Sequence, residues 1–143
     1  MKTYIKVILF FVFFIAVSAI LAALYFFNLK HTDMSKAHPD FVITATALLK
    51  EFEDNETQAS TRYINKIIEV EGTISSINTA KDNVLTISLK TESDLSSVIC
   101  TFPAVADQSK FRAGDSITLR GECSGFLMDV LLNNCAAINP NNK

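Results

Sequence analysis

Histidine is scarce in this 143-residue chain: the only two, His31 and His38, both precede residue 39. A catalytic serine or cysteine needs a neighbouring base, most often an imidazole, so everything after residue 38 lacks the usual means of nucleophilic catalysis. The three cysteines, Cys100, Cys123 and Cys135, contain no Cys-x-x-Cys pair, which argues against zinc. No enzyme activity, metal or cofactor is expected. Basic clusters are missing too: Arg62, Lys66, Lys81, Lys90, Lys110, Arg112 and Arg120 are scattered singly. Three of the 13 basic residues, Lys2, Lys6 and Lys30, precede residue 31, so the remainder of the chain sets ten against all 15 acidic residues and carries about minus five. That average field repels a polyanion and makes nucleic acid an unfavoured partner.

Charge is also absent from Val7 to Leu29, 23 residues dense in Phe, Ile, Leu, Val and Ala. As a helix this run spans roughly 34 Å, enough to cross a bilayer. A cleavable signal peptide has a shorter apolar region, usually about 7 to 15 residues, so the length favours an uncleaved anchor. The run holds no cysteine to carry a lipid tether. Lys2 and Lys6 in front of it favour a cytoplasmic N-terminus, which places the C-terminal part outside the cytoplasm, in the periplasm. The expected layout is a cytoplasmic segment 1–6, a membrane span 7–29, a linker 30–38 and one domain over 39–143. Residues 31 to 143 suffice for one modest core.

Phe41, Ala45, Leu48, Leu49 and Phe52 fall at i, i+4, i+7, i+8 and i+11, which predicts an amphipathic helix opened by Pro39 and Asp40. A second short helix is expected over Thr57–Tyr63, capped by Asn55 or Thr57 and burying Ala59 and Tyr63. From Lys66 the period changes to two. Ile68, Val70, Gly72 and Ile74 form the inward set of a first strand, and the slip to Ile77 predicts a bulge near Ser75-Ser76. Leu85, Ile87 and Leu89 mark a second strand after a turn at Asn78–Asn83, and Val98, Cys100 and Phe102 a third, stopped by Pro103. Ala104 to Phe111 reads as a helical turn or short helix. Ile117, Leu119, Gly121 and Cys123 face inward on a fourth strand. The fifth runs from Asp129 to Ile138, with Val130, Leu131 and Leu132 too uniformly apolar to assign a face.

Five strands in this order, the first long and bent, predict an OB-fold Greek-key barrel over 66–138 behind helices at 39–64, an α+β chain with an all-β core. A small unrelated sandwich is the other architecture that fits. The segments Tyr63-Ile-Asn-Lys-Ile-Ile-Glu-Val-Glu-Gly72, Phe111-Arg-Ala-Gly-Asp-Ser-Ile-Thr-Leu-Arg-Gly121 and Gly121-Glu-Cys-Ser-Gly-Phe-Leu-Met-Asp-Val-Leu-Leu-Asn-Asn-Cys135 resemble the bacterial tRNA-anti-like family of OB-fold proteins. Its members often follow a membrane anchor or export signal. The resemblance covers about residues 40 to 138 and implies a fold, not a substrate.

In an OB barrel the second and third strands and the loop joining the fourth and fifth border the ligand. The expected outward residues are Thr86, Ser88, Lys90, Ile99 and Thr101, with no aromatic among them on which a base could stack. Phe126, Leu127 and Met128 fill the loop, where they either close the barrel end or make contact with a partner. Arg120 is a further candidate contact, and Asp129 either pairs with it or caps the turn. These residues suit an envelope protein or glycan better than nucleic acid. Cys123 reads as a small core residue. The OB strand order places Cys100 and Cys135 at one end of the barrel and Cys123 at the other, so a disulfide is expected between Cys100 and Cys135 unless a bulge near Asn133-Asn134 alters the register.

Overall fold

The computed structural model describes residues 2–27, 33–80, 84–103 and 108–138. The chain divides into two compact units, Met1–His31 and Thr32–Lys143. The described residues of the first form helix α1 (Lys2–Phe27), 26 residues long and apolar enough over Tyr4–Tyr25 to cross a membrane. It contains the described part of the expected span.

The second unit begins with β1 (Phe41–Thr44), followed by α2 (Ala45–Asp54) and α3 (Glu56–Tyr63). Five further strands are β2 (Ile67–Thr79), β3 (Leu85–Leu89), β4 (Val98–Thr101), β5 (Ser116–Leu127) and β6 (Asp129–Ala137). These five close in the order β2-β3-β4-β6-β5 and back to β2, with β4 and β6 parallel and the other neighbours antiparallel. This is the OB arrangement the alternation predicted.

The helix expected from Pro39 is corrected at its start. Phe41–Thr44 is a strand, pairing parallel with Ile68–Glu71. Asp40 opens that strand: its N–H donates to the Ile67 carbonyl at 2.7 Å, and its carboxylate accepts from the Ile67 N–H at 2.9 Å. β1 fills the edge of β2 that the short β3 leaves uncovered, since β3 joins β2 only from Ile74 onward. The helix starts at Ala45, where the Thr44 hydroxyl caps it by accepting from the Ala47 N–H at 3.3 Å. Ala45, Leu48, Leu49 and Phe52 are buried as the spacing required. Asn55 ends α2 through its N–H to the Glu51 carbonyl and starts α3 through its side chain to the Gln58 N–H. Ala59 and Tyr63 point into the core.

Ile68, Val70, Ile74, Leu85, Ile87, Leu89, Val98, Cys100, Leu119, Cys123, Val130 and Leu132 line the barrel interior. The bulge in β2 falls between Ile74 and Ser76, as expected. A Cβ on Gly72 would sit 3.1 Å from that of Ala45, so this glycine lets the start of α2 lie close on β2. Gln108–Lys110 is a 3-10 turn, while residues 104–107, 81–83 and 139–143, within the expected short helix, turn and C-terminal end, lie outside the described residues.

Candidate functional site

On β3 and β4 the inward side chains are apolar and the outward ones are those the alternation assigned. Thr86 lies opposite Thr101 and Ser88 opposite Ile99, and all four are half-buried. The rows continue sideways into residues the sequence reading missed: Asn78 beside Thr86, Ser76 beside Ser88, and Leu131 beside Ile99. Register across four strands, β2, β3, β4 and β6, not local alternation, makes them neighbours. The resulting face carries hydroxyls, one amide and two aliphatic side chains, with neither an aromatic ring nor a cation. Lys90 follows β3 and is exposed beside a cleft of about 480 Å³ with Ser75, Thr91 and Ser93–Ser97.

The segment Phe126–Met128 proves to be no loop. β5 runs to Leu127 and β6 starts at Asp129, leaving Met128 alone at the turn with a φ of 66°. The three side chains divide. Phe126 is stacked on Phe52 with ring centroids 5.4 Å apart, joining the hairpin to the helices that cover this barrel end. Leu127 and Met128 remain 79% and 67% exposed. Closure and contact therefore belong to different residues of the same hairpin.

Asp129 fixes that hairpin to the loop between β3 and β4. Its Oδ1 accepts from the Ser97 N–H at 2.7 Å and the Ser97 hydroxyl at 2.8 Å, and the Val130 N–H donates to the Ser97 carbonyl. Within the loop the Thr91 hydroxyl donates to the Ser96 carbonyl at 2.6 Å. Leu95, 83% exposed, is thus displayed at the same barrel end as Leu127 and Met128. Its position in a polar run, Glu92 to Ser97, gave no sign of this.

Arg120 is not displayed on this face. Its Nε and Nη2 donate to the Glu69 carboxylate, and its Nη1 donates to the carbonyls of Met34, Ser35 and Ala37. Only 12% of the Arg120 side chain and 20% of that of Glu69 is exposed. The guanidinium fork is spent on holding Asp33–Ala37, expected as linker, against the barrel, and the pairing with Asp129 does not form.

Cys100, Cys123 and Cys135 are buried free thiols. Cys100 and Cys135, the pair expected to bridge, are in hydrogen-bond contact; that contact and burial push the Cys100 thiol well up. Burial also pushes Cys123 up. A thiol held protonated is a poor nucleophile. Cys123 is not at the opposite barrel end as expected: it lies opposite Leu132, which in turn lies opposite Cys100. The bulge in β6, not strand-end position, sets which cysteines meet.

Another cleft, about 660 Å³, lies elsewhere, at the start of β5, where Lys110, Phe111, Asp115 and Ile138 contribute to its lining. Lys110 and Asp115 bring opposite charges to that lining. Among the described residues, no cluster of His, Cys, Asp and Glu could hold a metal ion.

A solved structure from Klebsiella pneumoniae subsp. pneumoniae, named a "putative nucleic acid-binding lipoprotein", shares this fold with a TM-score of 0.57 and 19% identity, over 68% of this chain and 91% of its own. No curated protein matches the sequence. The tRNA_anti-like family pattern matches residues 1–137, taking in the apolar helix as well as the barrel. The chain belongs to the tRNA_anti-like family.

Proposed function

We propose that this chain is a non-catalytic binding module, tethered to the cell membrane by α1 with its N-terminus in the cytoplasm, whose OB domain holds a protein of the envelope. The observation that carries this reading is the exposure of Leu127 and Met128 beside a half-buried Phe126 packed against the core. Large apolar side chains fixed in water on a rigid hairpin favour contact with another apolar surface. Leu95 adds to the same end, and the face of Thr86, Ser88, Ile99 and Thr101 extends it with hydroxyls suited to hydrogen bonding. A glycan would use those hydroxyls but not the apolar tips. Lys2 and Lys6 support the orientation.

Nucleic acid is the second reading, favoured by the name given to the Klebsiella structure. Against it stand the charge near minus five, the engagement of Arg120 by Glu69, and a β3–β4 face without rings for stacking.

The test is site-specific photocrosslinking of the full chain in its membrane. A photoreactive residue at Leu127 or Met128 is expected to give a discrete protein adduct, and one at exposed Glu71 on β2 is not. Equal labelling from position 71, or none from 127 and 128, overturns the reading. Fluorescence anisotropy of the detergent-solubilised chain with labelled single-stranded DNA and RNA tests the rival. Micromolar binding that weakens with salt and on Lys90→Ala would establish it.

A further inference from the structure

The barrel brings two of its three sulfurs together by specific means. Cys100 on β4 lies opposite Leu132 on the parallel neighbour β6. Beyond Leu132, β6 carries an extra residue against β5, since Glu122 faces Asn133 while Arg120 faces Ala136. Asn134 adopts a φ of 52° in that bulge. The inserted residue returns Cys135 to the inner face three positions after Leu132, where regular alternation would turn it outward. Its sulfur then lies over the strand, 3.4 Å from the Leu132 carbonyl and in contact with the Cys100 thiol. β5 makes room for it: a Cβ on Gly121 would lie 2.4 Å from the Cys135 Sγ. No side chain other than hydrogen fits there while that sulfur keeps its place.

We infer that Cys100 and Cys135 are joined as a disulfide when the chain folds in contact with a disulfide donor, and that the closed barrel then seals the bond from reductants. The donor is an oxidised thiol–disulfide oxidoreductase or a small disulfide such as oxidised glutathione. The thiolate of one cysteine attacks a donor sulfur and expels the other donor sulfur as a thiolate. The thiolate of the second cysteine then displaces the donor from the mixed disulfide. One S–S bond forms and one breaks. The two cysteines lose two electrons and two protons, and the donor gains both pairs as two thiols.

Exchange needs a thiolate and access to it. The folded domain denies access to both, because Cys100 and Cys135 are 0% and 2% exposed, and it denies the thiolate at Cys100, where burial and the contact with Cys135 favour the neutral thiol. Oxidation therefore precedes the closing of β4 and β5 around β6. Cys123 is excluded from pairing with Cys100 because Leu132 stands between them in register, a separation of two strand spacings or about 9.6 Å. Bridged cysteines rarely exceed about 7 Å between Cα atoms.

The full chain, reduced and unfolded in guanidinium, is refolded into mild detergent in a glutathione redox buffer, acid-quenched and alkylated. Trypsin with Asp-N separates Cys123 from Cys135 at Asp129, and the peptides are mapped without reductant. One cross-linked species joining Cys100 to Cys135, with Cys123 alkylated, is expected. Three alkylated cysteines, or any bridge containing Cys123, overturns the pairing. Reduction of the folded oxidised chain by dithiothreitol should be at least about tenfold slower than in guanidinium, since access requires opening. Equal rates overturn the sealing. Gly121→Ala should lower the yield of the bridge several-fold, and the wild-type map decides the pairing even if that variant does not fold.

Discussion

Truncating Arg120 tests whether one side chain fastens the segment after the apolar helix to the barrel. Arg120→Ala strands the Glu69 carboxylate, which is 20% exposed, and releases the carbonyls of Met34, Ser35 and Ala37. Removing one partner of a fully buried ion pair costs about 3 to 5 kcal/mol. Glu69 retains some water, and the freed carbonyls regain it, so the expected loss is about 2 to 3 kcal/mol. For a domain of this size that lowers Tm by roughly 8 to 15 °C. Thermal melting of the full chain in detergent, followed by circular dichroism of the sheet, measures it. Trypsin supplies a second readout at Lys36, whose side chain is open to solvent while the backbone around it is held by Asp33 and Arg120. Cleavage there should accelerate in Arg120→Ala well below its Tm. Arg120→Lys should recover less than half the loss, because a point charge cannot span a carboxylate and three carbonyls at once. A Tm shift under about 3 °C together with unchanged cleavage at Lys36 would refute the fastening role.

Phe126→Ala should cost about 2 to 3 kcal/mol, somewhat below the range for fully buried aromatic residues, whereas Leu127→Ser and Met128→Ser should stay within about 0.5 kcal/mol in melting and abolish photocrosslinking from the neighbouring position. Gly121→Ala should destabilise by about 1 to 3 kcal/mol through the clash with Cys135, read from denaturant unfolding. Tyr63, desolvated and hydrogen-bonded to Glu51, has its phenol pushed up to about 12. Its folded value lies above the free value of 10.0, so the stabilisation is complete below pH 10 and is lost as pH rises toward 12; phenolate absorbance should report it, with an earlier midpoint in Glu51→Gln. Protease added to intact spheroplasts should digest the C-terminal domain, and cutting only after lysis would reverse the orientation.

The strands were legible because each buries one face: the alternation at Leu85–Leu89 and Val98–Phe102 states which side chains turn inward. Helix α2 was legible from Ala45 onward for the same reason. Phe41–Thr44 was misread because Phe41 and Ala45 happen to keep helical spacing, while the feature that makes it a strand is Ile68–Glu71, 27 residues away. β-Branched Val42, Ile43 and Thr44 were the local hint. The candidate face was readable in its core and not at its margins, since Ser76, Asn78 and Leu131 join it only through register. Arg120 was misassigned because its partners are three backbone carbonyls, which leave no mark in a sequence, and a glutamate on another strand.

The fastening of Asp33–Ala37 also fixes the order in which the domain would yield to tension. Force arriving through the residues before Asp33 meets the Arg120 bonds to Met34, Ser35 and Ala37 first, then the paired contacts between Asp40 and Ile67, and only then β1. A load along the strand axis draws on the ladder bonds between β1 and β2 together instead of peeling them singly. The closed ring of β2 to β6 lies beyond all three. The barrel would thus stay intact under a load that first parts the Arg120 bonds.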